Sequence, residues 1–412
     1  VAGAWFAGPL AARQGRVRVM LVAAALFTVS AIGSGLAVGT WDLIAWRVLG
    51  GLGVGAASVI APAYIAEVSP ADVRGRLGSL QQLAIVLGIF AALLTDAFLA
   101  DSAGGAAEQL WFGLEAWRWM FLAEAVPAVI YGLFALTIPE SPRYLVDQDR
   151  EDEAAEVLRK FTGVKDTAAK IKEIHESLKR EARENLGDLR GPALGLKPIV
   201  WVGFALAVFQ QFVGINVIFY YSTTLWRSVG FEESQALTTS VITSVTNVVV
   251  TVVAILLVDK VGRRPLLIAG SAGMAVTLAT MALAFSQAQG TGEETSLPQP
   301  WGTVALIAAN LFVVSFGATW GPVMWVMLGE MFPNKIRATA VSVASAANWL
   351  ANFAVSTTFP SLSEVGLSLA YGLYAFFALL SLFFVLWQVP ETRGRELEDM
   401  TDDSRRSRPA RT

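Results

Sequence analysis

PIVWVGFALAVFQQFVGINVIFYYSTTLW, residues 198–225 and the closing Trp226, carries no charge along its whole length. A helix needs about 20 predominantly apolar residues to cross a bilayer, and this run is longer. Near its middle stand Gln210, Gln211 and Asn216. Side-chain amides at that depth require partners, a polar cavity or water. Their clustering predicts a hydrated site that hydrogen-bonds something neutral and rich in hydroxyls. At 100° per residue, Gln211 and Asn216 lie about 140° apart on an ideal helix, so an unbroken helix would aim them at different faces. Gly214 sits between them, and glycine permits local unwinding. A broken helix is therefore expected around Gly214–Tyr221, its inner half fixed and its outer half a mobile gate.

The rest of the chain has the same character. Of 412 residues, 54% are hydrophobic and 16% are charged, and mean hydropathy is +0.54. Uncharged runs recur throughout, which places the chain in the multi-span membrane class. A net charge of −3 implies no nucleic-acid partner. The absence of cysteine excludes cysteine-based metal sites. His175, the single histidine, lies in IKEIHESLKR and reads as a solvated surface residue. No metal-ligand cluster or nucleophile–base pair stands out, so no cofactor is implied and an enzyme is disfavoured.

Full-length candidate spans fall at about 19–39, 43–66, 77–100, 117–138, 198–226, 236–258, 265–286, 301–328, 338–360 and 365–389. Between Tyr144 and Lys197 runs a polar stretch dense in Glu, Lys and Arg. Its apolar residues fall at helical spacing (Leu158 with Phe161; Ile171, Ile174 and Leu178), which predicts short amphipathic helices, a flexible linker being the alternative. The loops alternate in charge. All but Arg47, Arg118 and Arg227 of the 31 lysines and arginines fall on one side. The positive-inside rule makes that side, with the C-terminus, cytoplasmic.

Motifs repeat between the two halves. LAARQGRVR (10–18) resembles LVDKVGRRP (257–265), AEVSPADVRGR (66–76) resembles GEMFPNKIRAT (329–339), and PESPR (139–143) resembles PETRG (390–394). Glu67 precedes Arg74 by the same interval as Glu330 precedes Arg337. The halves therefore match as parallel repeats, a transporter architecture. By this register the apolar opening VAGAWFAGPLA is the end of a second helix, and one whole helix is expected before it. The charged residues of these motifs, Arg16, Glu67, Arg74, Glu140, Arg143, Asp259, Arg263, Glu330 and Arg337, are read as a cytoplasmic gate. Ion pairs across an interface between the halves would hold that side shut. Basic residues at span ends are also ordinary orientation signals.

The chain resembles the sugar porter branch of the major facilitator superfamily, and within it the bacterial proton-coupled glucose and xylose permeases. The residues that carry the likeness are Arg13-Gln14-Gly15-Arg16, Pro139-Glu140-Ser141-Pro142-Arg143, Gln210 through Asn216, Asp259-Lys260-Val261-Gly262-Arg263-Arg264 and Pro390-Glu391-Thr392-Arg393-Gly394. The resemblance covers essentially the whole chain. It implies an all-α membrane protein with the major facilitator fold of two six-helix bundles. Eleven spans are expected here, the first partial. The implied divisions are an N-terminal bundle over 1–143, a cytoplasmic helical linker over 144–197, a C-terminal bundle over 198–392 and a tail over 393–412.

The resemblance also implies ligands. Gln82, Gln210, Gln211, Asn216, Tyr220, Asn247, Trp325, Asn348 and Trp349 match the family's sugar-binding positions, Asn348 standing where many bacterial members have Gln. Amides both donate and accept, as sugar hydroxyls do, and Trp and Tyr offer apolar faces to a pyranose ring. The alternative reading is that such amides join helices and such aromatics pack. Arg47 and Glu124 lie inside spans, where an isolated charge costs at least about 2.5–3.5 kcal/mol, so pairing or hydration is expected. The matching pair takes part in proton coupling in the family; a static ion pair is the plainer alternative. Asp96, near the outer end of its span, reads as interfacial. The function implied is import of a monosaccharide, glucose foremost, with protons by alternating access. A facilitative uniporter and a non-transporting sugar sensor are the alternatives. The expected partners are the sugar, the proton and the lipid bilayer of the cell membrane, with the protein a monomer.

Overall fold

The computed structural model describes residues 2–68, 74–164, 166–181, 189–193, 195–227, 230–289, 296–332 and 336–392, without the side chains of 66, 74–81, 180, 181, 259, 337 and 338. The side chains of Arg74, Asp259 and Arg337 and the expected tail over 393–412 thus lie outside the described residues. The described chain is helical, with isolated bridge pairs and no strand among the described residues.

Two compact units emerge: Val1–Ala84 with Ala91–Arg183, and Ile85–Phe90 with Glu184–Thr412. The first contains α1 (Ala2–Gln14), α2 (Arg16–Gly35), α3 (Thr40–Val68), most of α4 (Arg74–Ala103), α5 (Ala116–Ala123) and α6 (Ala125–Thr137), then three short helices, α7 (Pro142–Asp147), α8 (Glu151–Val157) and α9 (Thr167–Glu181). Ala7 and Ala11 of α1 share a core with Val19, Met20, Ile60, Tyr64 and Ala135. A Cβ on Gly3 would clash with the Leu52 carbonyl oxygen. Small residues thus let α1 and α3 close on each other, the usual contact of helices that have no water to expel.

The second unit contains α10 (Pro198–Phe212), α11 (Ile215–Tyr220), α12 (Ser222–Arg227), α13 (Glu233–Val261), α14 (Arg263–Phe285), α15 (Trp301–Ser315), α16 (Gly321–Met331), α17 (Arg337–Val365) and α18 (Leu367–Gln388). A π-helical turn, Phe316–Trp320, joins α15 to α16.

Among the described residues nine helices are long and apolar enough to cross a membrane. The expected tenth span, 338–360, forms within the unbroken helix α17 but is not one of the nine. Its sequence is interrupted by Ser345, Asn348, Asn352, Ser356, Thr357 and Thr358, which dilute its mean hydropathy. Several of these side chains bond inside the unit rather than facing outward. The opening stretch is the short helix α1, as its apolar composition leads one to expect.

The polar stretch after residue 143 folds on its own small core of Leu145, Val146, Ala154, Val157, Leu158 and Ile171, with Ile174 and Leu178 against it. Phe161 does not join Leu158 there; it is exposed. Residues Leu158–Thr162 form a π-helical turn, and its wider winding breaks the spacing that an α-helix would give.

Candidate functional site

The amide-bearing span breaks where glycine allows it. α10 ends at Phe212, Gly214 takes φ +78°, and α11 begins at Ile215. A second break at Tyr221 separates α12. A left-handed backbone disfavours any residue with a Cβ. Here a Cβ would also sit 2.6 Å from the Tyr374 ring.

The break brings together side chains that an ideal helix would separate. Asn216 Nδ2 donates to Gln211 Oε1 at 2.7 Å and to Asn352 Oδ1 at 3.1 Å. Gln211 Nε2 donates to Asn348 Oδ1 at 3.1 Å. Asn348 Nδ2 donates to Gln210 Oε1 at 2.8 Å and to the Ala207 carbonyl at 3.0 Å. Gln210 Nε2 reaches the carbonyl oxygens of Trp320 and Gly321, both at 3.3 Å. Gln210, Gln211 and Asn348 are buried, and Asn216 and Asn352 are half-buried. The cluster is therefore connected, and it opens at one end. An amide oxygen accepts two bonds. Gln211 Oε1 and Asn348 Oδ1 each accept one within the described residues, so each retains capacity for a ligand hydroxyl.

Asn352 was not among the expected ligands. Its signal was present: it follows Asn348 by one helical turn, and residues four apart share a face. Ser356, a further turn on, donates to Asn352 Oδ1 at 3.2 Å and accepts from Tyr221 through its carbonyl at 2.9 Å. Tyr220 is 57% exposed and Trp325 39% exposed, so both present open aromatic surface. Trp349 is half-buried on α17. Asn247 is buried on α13, where its Oδ1 lies 3.0 Å from the place a Cβ on Gly317 would occupy. It thus packs on the π-helical turn and stands apart from the amide network. Gln82 lies half-buried on α4, in the first unit.

Arg47 and Glu124 do pair. Arg47 Nη1 meets Glu124 Oε2 at 2.8 Å, and the guanidinium lies 5.0 Å from the Phe121 ring centre. Glu124 stands at the joint between α5 and α6. Both side chains are nearly half exposed and line a cavity of about 480 Å³ with Phe27, Ser30 and Tyr131. The pair is therefore neither isolated nor sealed: its charges offset each other and stay within reach of small species.

The motif charges form two matching clusters. Arg16 holds Glu67 through two bonds of 2.9 and 2.8 Å, and Ser141 donates to Glu67 at 2.5 Å. The backbone N–H groups of Arg16 and Val17 donate to Glu140 at 2.9 and 3.2 Å. In the second unit Arg263 holds Glu330 at 3.1 and 2.9 Å, Thr392 donates to Glu330 at 2.6 Å, and the N–H groups of Arg263 and Arg264 donate to Glu391 at 3.1 and 3.0 Å. Gly15 and Gly262, with φ of 95° and 101°, make the same turn before each arginine. A carboxylate on the first N–H groups of a helix is favoured by the orphan donors and the dipole there. Arg143 is half-buried on α7. Each of these pairs joins residues of one unit.

The chain matches the family model described as sugar (and other) transporter over residues 1–403. It is 56% identical over 400 residues to a glucose transport protein of Synechocystis sp., covering 97% of this chain and 85% of that one. It is 36% identical over 425 residues to the D-xylose-proton symporter of Escherichia coli, covering 97% and 83%. The structure of the major facilitator superfamily proton:xylose symporter XylE bound to 6-bromo-6-deoxy-D-glucose superposes with a TM-score of 0.78 at 34% identity, covering 97% of this chain and 85% of that one.

Proposed function

This chain belongs to the sugar transporter family of the major facilitator superfamily, and on that premise we propose that it imports glucose together with protons by alternating access. The observation that carries the sugar reading is the amide cluster: Gln211 and Asn216, aimed together by the break at Gly214, joined to Asn348 and Asn352 on α17. Each net hydrogen bond contributes about 0.5–1.5 kcal/mol, so a carrier needs several that converge yet release. Gln82, Tyr220, Asn247, Trp325 and Trp349 complete the proposed sugar-binding set, with Asn352 added. A 56% identical relative bears the name glucose transport protein, which favours glucose over pentoses.

Proton coupling is assigned to Arg47 and Glu124. A carboxylate held by an arginine beside an open cavity can take a proton and release its partner, and that change biases a two-state equilibrium. The charge clusters around Glu67 and Glu330 are the proposed cytoplasmic gate. The protein works as a monomer in the cell membrane, with the basic loops and C-terminus on the cytoplasmic side.

Proteoliposomes carrying the full-length protein provide the test. Labelled glucose should accumulate inside when an inward proton gradient is imposed. Equilibration that ignores the gradient would establish a uniporter, and binding without flux a sensor. Gln211→Ala should abolish uptake with normal insertion; normal uptake would remove the site.

A further inference from the structure

The amide cluster has a direction, and its source lies outside the cluster. Backbone carbonyls only accept hydrogen bonds. The carbonyl oxygens of Trp320 and Gly321 therefore oblige Gln210 to turn its NH₂ toward them, both at 3.3 Å. Gln210 Oε1 must then accept, and it does so from Asn348 Nδ2 at 2.8 Å. Asn348 Oδ1 in turn accepts from Gln211 Nε2, and Gln211 Oε1 accepts from Asn216 Nδ2. The orientation of Gln210 follows from those two carbonyls, that of Asn348 also from the Ala207 carbonyl, which accepts from its Nδ2 at 3.0 Å, and the outcome leaves Gln211 Oε1 and Asn348 Oδ1 with spare accepting capacity.

The carbonyls lie at the end of the π-helical turn Phe316–Trp320. Such turns are irregular and need anchoring, and they recur at functional sites. Trp320 supplies the anchor. Its indole N–H donates to the Leu267 carbonyl at 3.1 Å and to Ser271 Oγ at 3.0 Å, both on α14. Ser381 on α18 donates to Ser271 Oγ at 2.8 Å. Trp320, Ser271 and Ser381 are fully buried. α14 also fits tightly beneath the turn: a Cβ on Gly270 would clash with Thr319.

We propose that Trp320 is a positioning residue for sugar recognition. Its clamped indole fixes the π-helical turn whose carbonyls orient the Gln210 amide and, together with the Ala207 carbonyl, set the donor–acceptor polarity of Asn348, Gln211 and Asn216. The role rests on the amide cluster being the sugar site. A Trp that merely filled space would be replaceable by another large ring with no change in recognition.

Trp320→Phe keeps an aromatic ring but removes the indole N–H together with its five-membered ring. In purified full-length protein it should weaken glucose binding about 3- to 10-fold, the range of one lost amide hydrogen bond, with maximal transport rate unchanged within about 2-fold. The loss should be selective. Glucose and whichever monodeoxyglucose binds worst to the wild type should become nearly equal, whereas a loosened fold weakens all sugars alike. In a Gln210→Ala background, Trp320→Phe should add less than about 2-fold. Unchanged affinity, or the same loss in both backgrounds, overturns the proposal. Ser271→Ala, which leaves the indole volume intact, should lower affinity in the same selective way, and it decides the matter if Trp320→Phe does not fold. Gln211→Ala separates the two ideas. If it leaves glucose binding intact, the sugar site itself is misplaced. If it abolishes binding while Trp320→Phe and Ser271→Ala change nothing, only the role of Trp320 falls.

Discussion

Gly214→Ala tests the joint on which the sugar site depends. At φ +78° a residue with a Cβ costs about 1–2 kcal/mol more than glycine. The added methyl would also lie 2.6, 2.8 and 2.9 Å from Cδ2, Cε2 and Cγ of Tyr374, against the 3.5–4.0 Å of an ordinary carbon contact. Tyr374 is 2% exposed, so its ring has no open space to enter, and overpacking of this kind costs about 1–3 kcal/mol. Together these predict a destabilisation of about 2–5 kcal/mol. The local way to relieve the strain is to straighten the break, which carries Asn216 away from Gln211. Thermal unfolding of the purified protein, with and without glucose, should show a lowered midpoint and a loss of the glucose-induced rise. Tyr374→Ala in the same chain should recover the steric part and leave the dihedral part, so the double-mutant cycle should show coupling of about 1–3 kcal/mol. A Gly214→Ala protein with wild-type midpoint and glucose response, or a strictly additive cycle, would refute the reasoning.

Asn352→Ala should raise the KM for glucose about 3- to 10-fold, since it removes one of the two acceptors for Asn216 and one member of the cluster; uptake at wild-type KM would show that Asn352 is a bystander. Glu330→Gln takes the bidentate partner from Arg263, which is 8% exposed, and should cost about 3–5 kcal/mol in unfolding free energy. Thr392→Val removes a single 2.6 Å bond to that carboxylate and should cost about 1.5–3 kcal/mol, so the reverse ranking in thermal scans would contradict the cluster geometry. Glu124→Gln should abolish gradient-driven accumulation while counterflow exchange of glucose persists; accumulation that survives would move proton coupling elsewhere.

Particular residues show how far the sequence reaches. The break at Gly214 was legible because one glycine lay between two amides on opposed faces, and only an irregular backbone reconciles them. The correspondence of Arg16 with Arg263, Glu140 with Glu391 and Gly15 with Gly262 was legible because the motifs repeat as local strings. The partners of those charges were not. Glu67 and Arg74 lie close in sequence, yet Glu67 bonds Arg16, a residue of another helix. Asn352 was overlooked although it follows Asn348 by one turn, because a single amide in a span reads equally well as helix glue. Trp320 was overlooked because a buried tryptophan in an apolar run looks like packing until its N–H has named partners.

Sequence by itself determined what each segment requires of its surroundings. Long uncharged runs need lipid or protein around them, buried amides and charges need partners, and a glycine between opposed faces needs a bend. These are local properties, fixed by composition and by helical periodicity. Only the tertiary structure decided which partners answer those needs: Arg16 for Glu67, Arg263 for Glu330, Asn352 for Asn216, and Ser271 for Trp320. Such pairings join helices far apart in the chain. They depend on the rotation and depth at which helices pack, quantities set by side-chain fit across the whole bundle, which no single stretch of sequence contains.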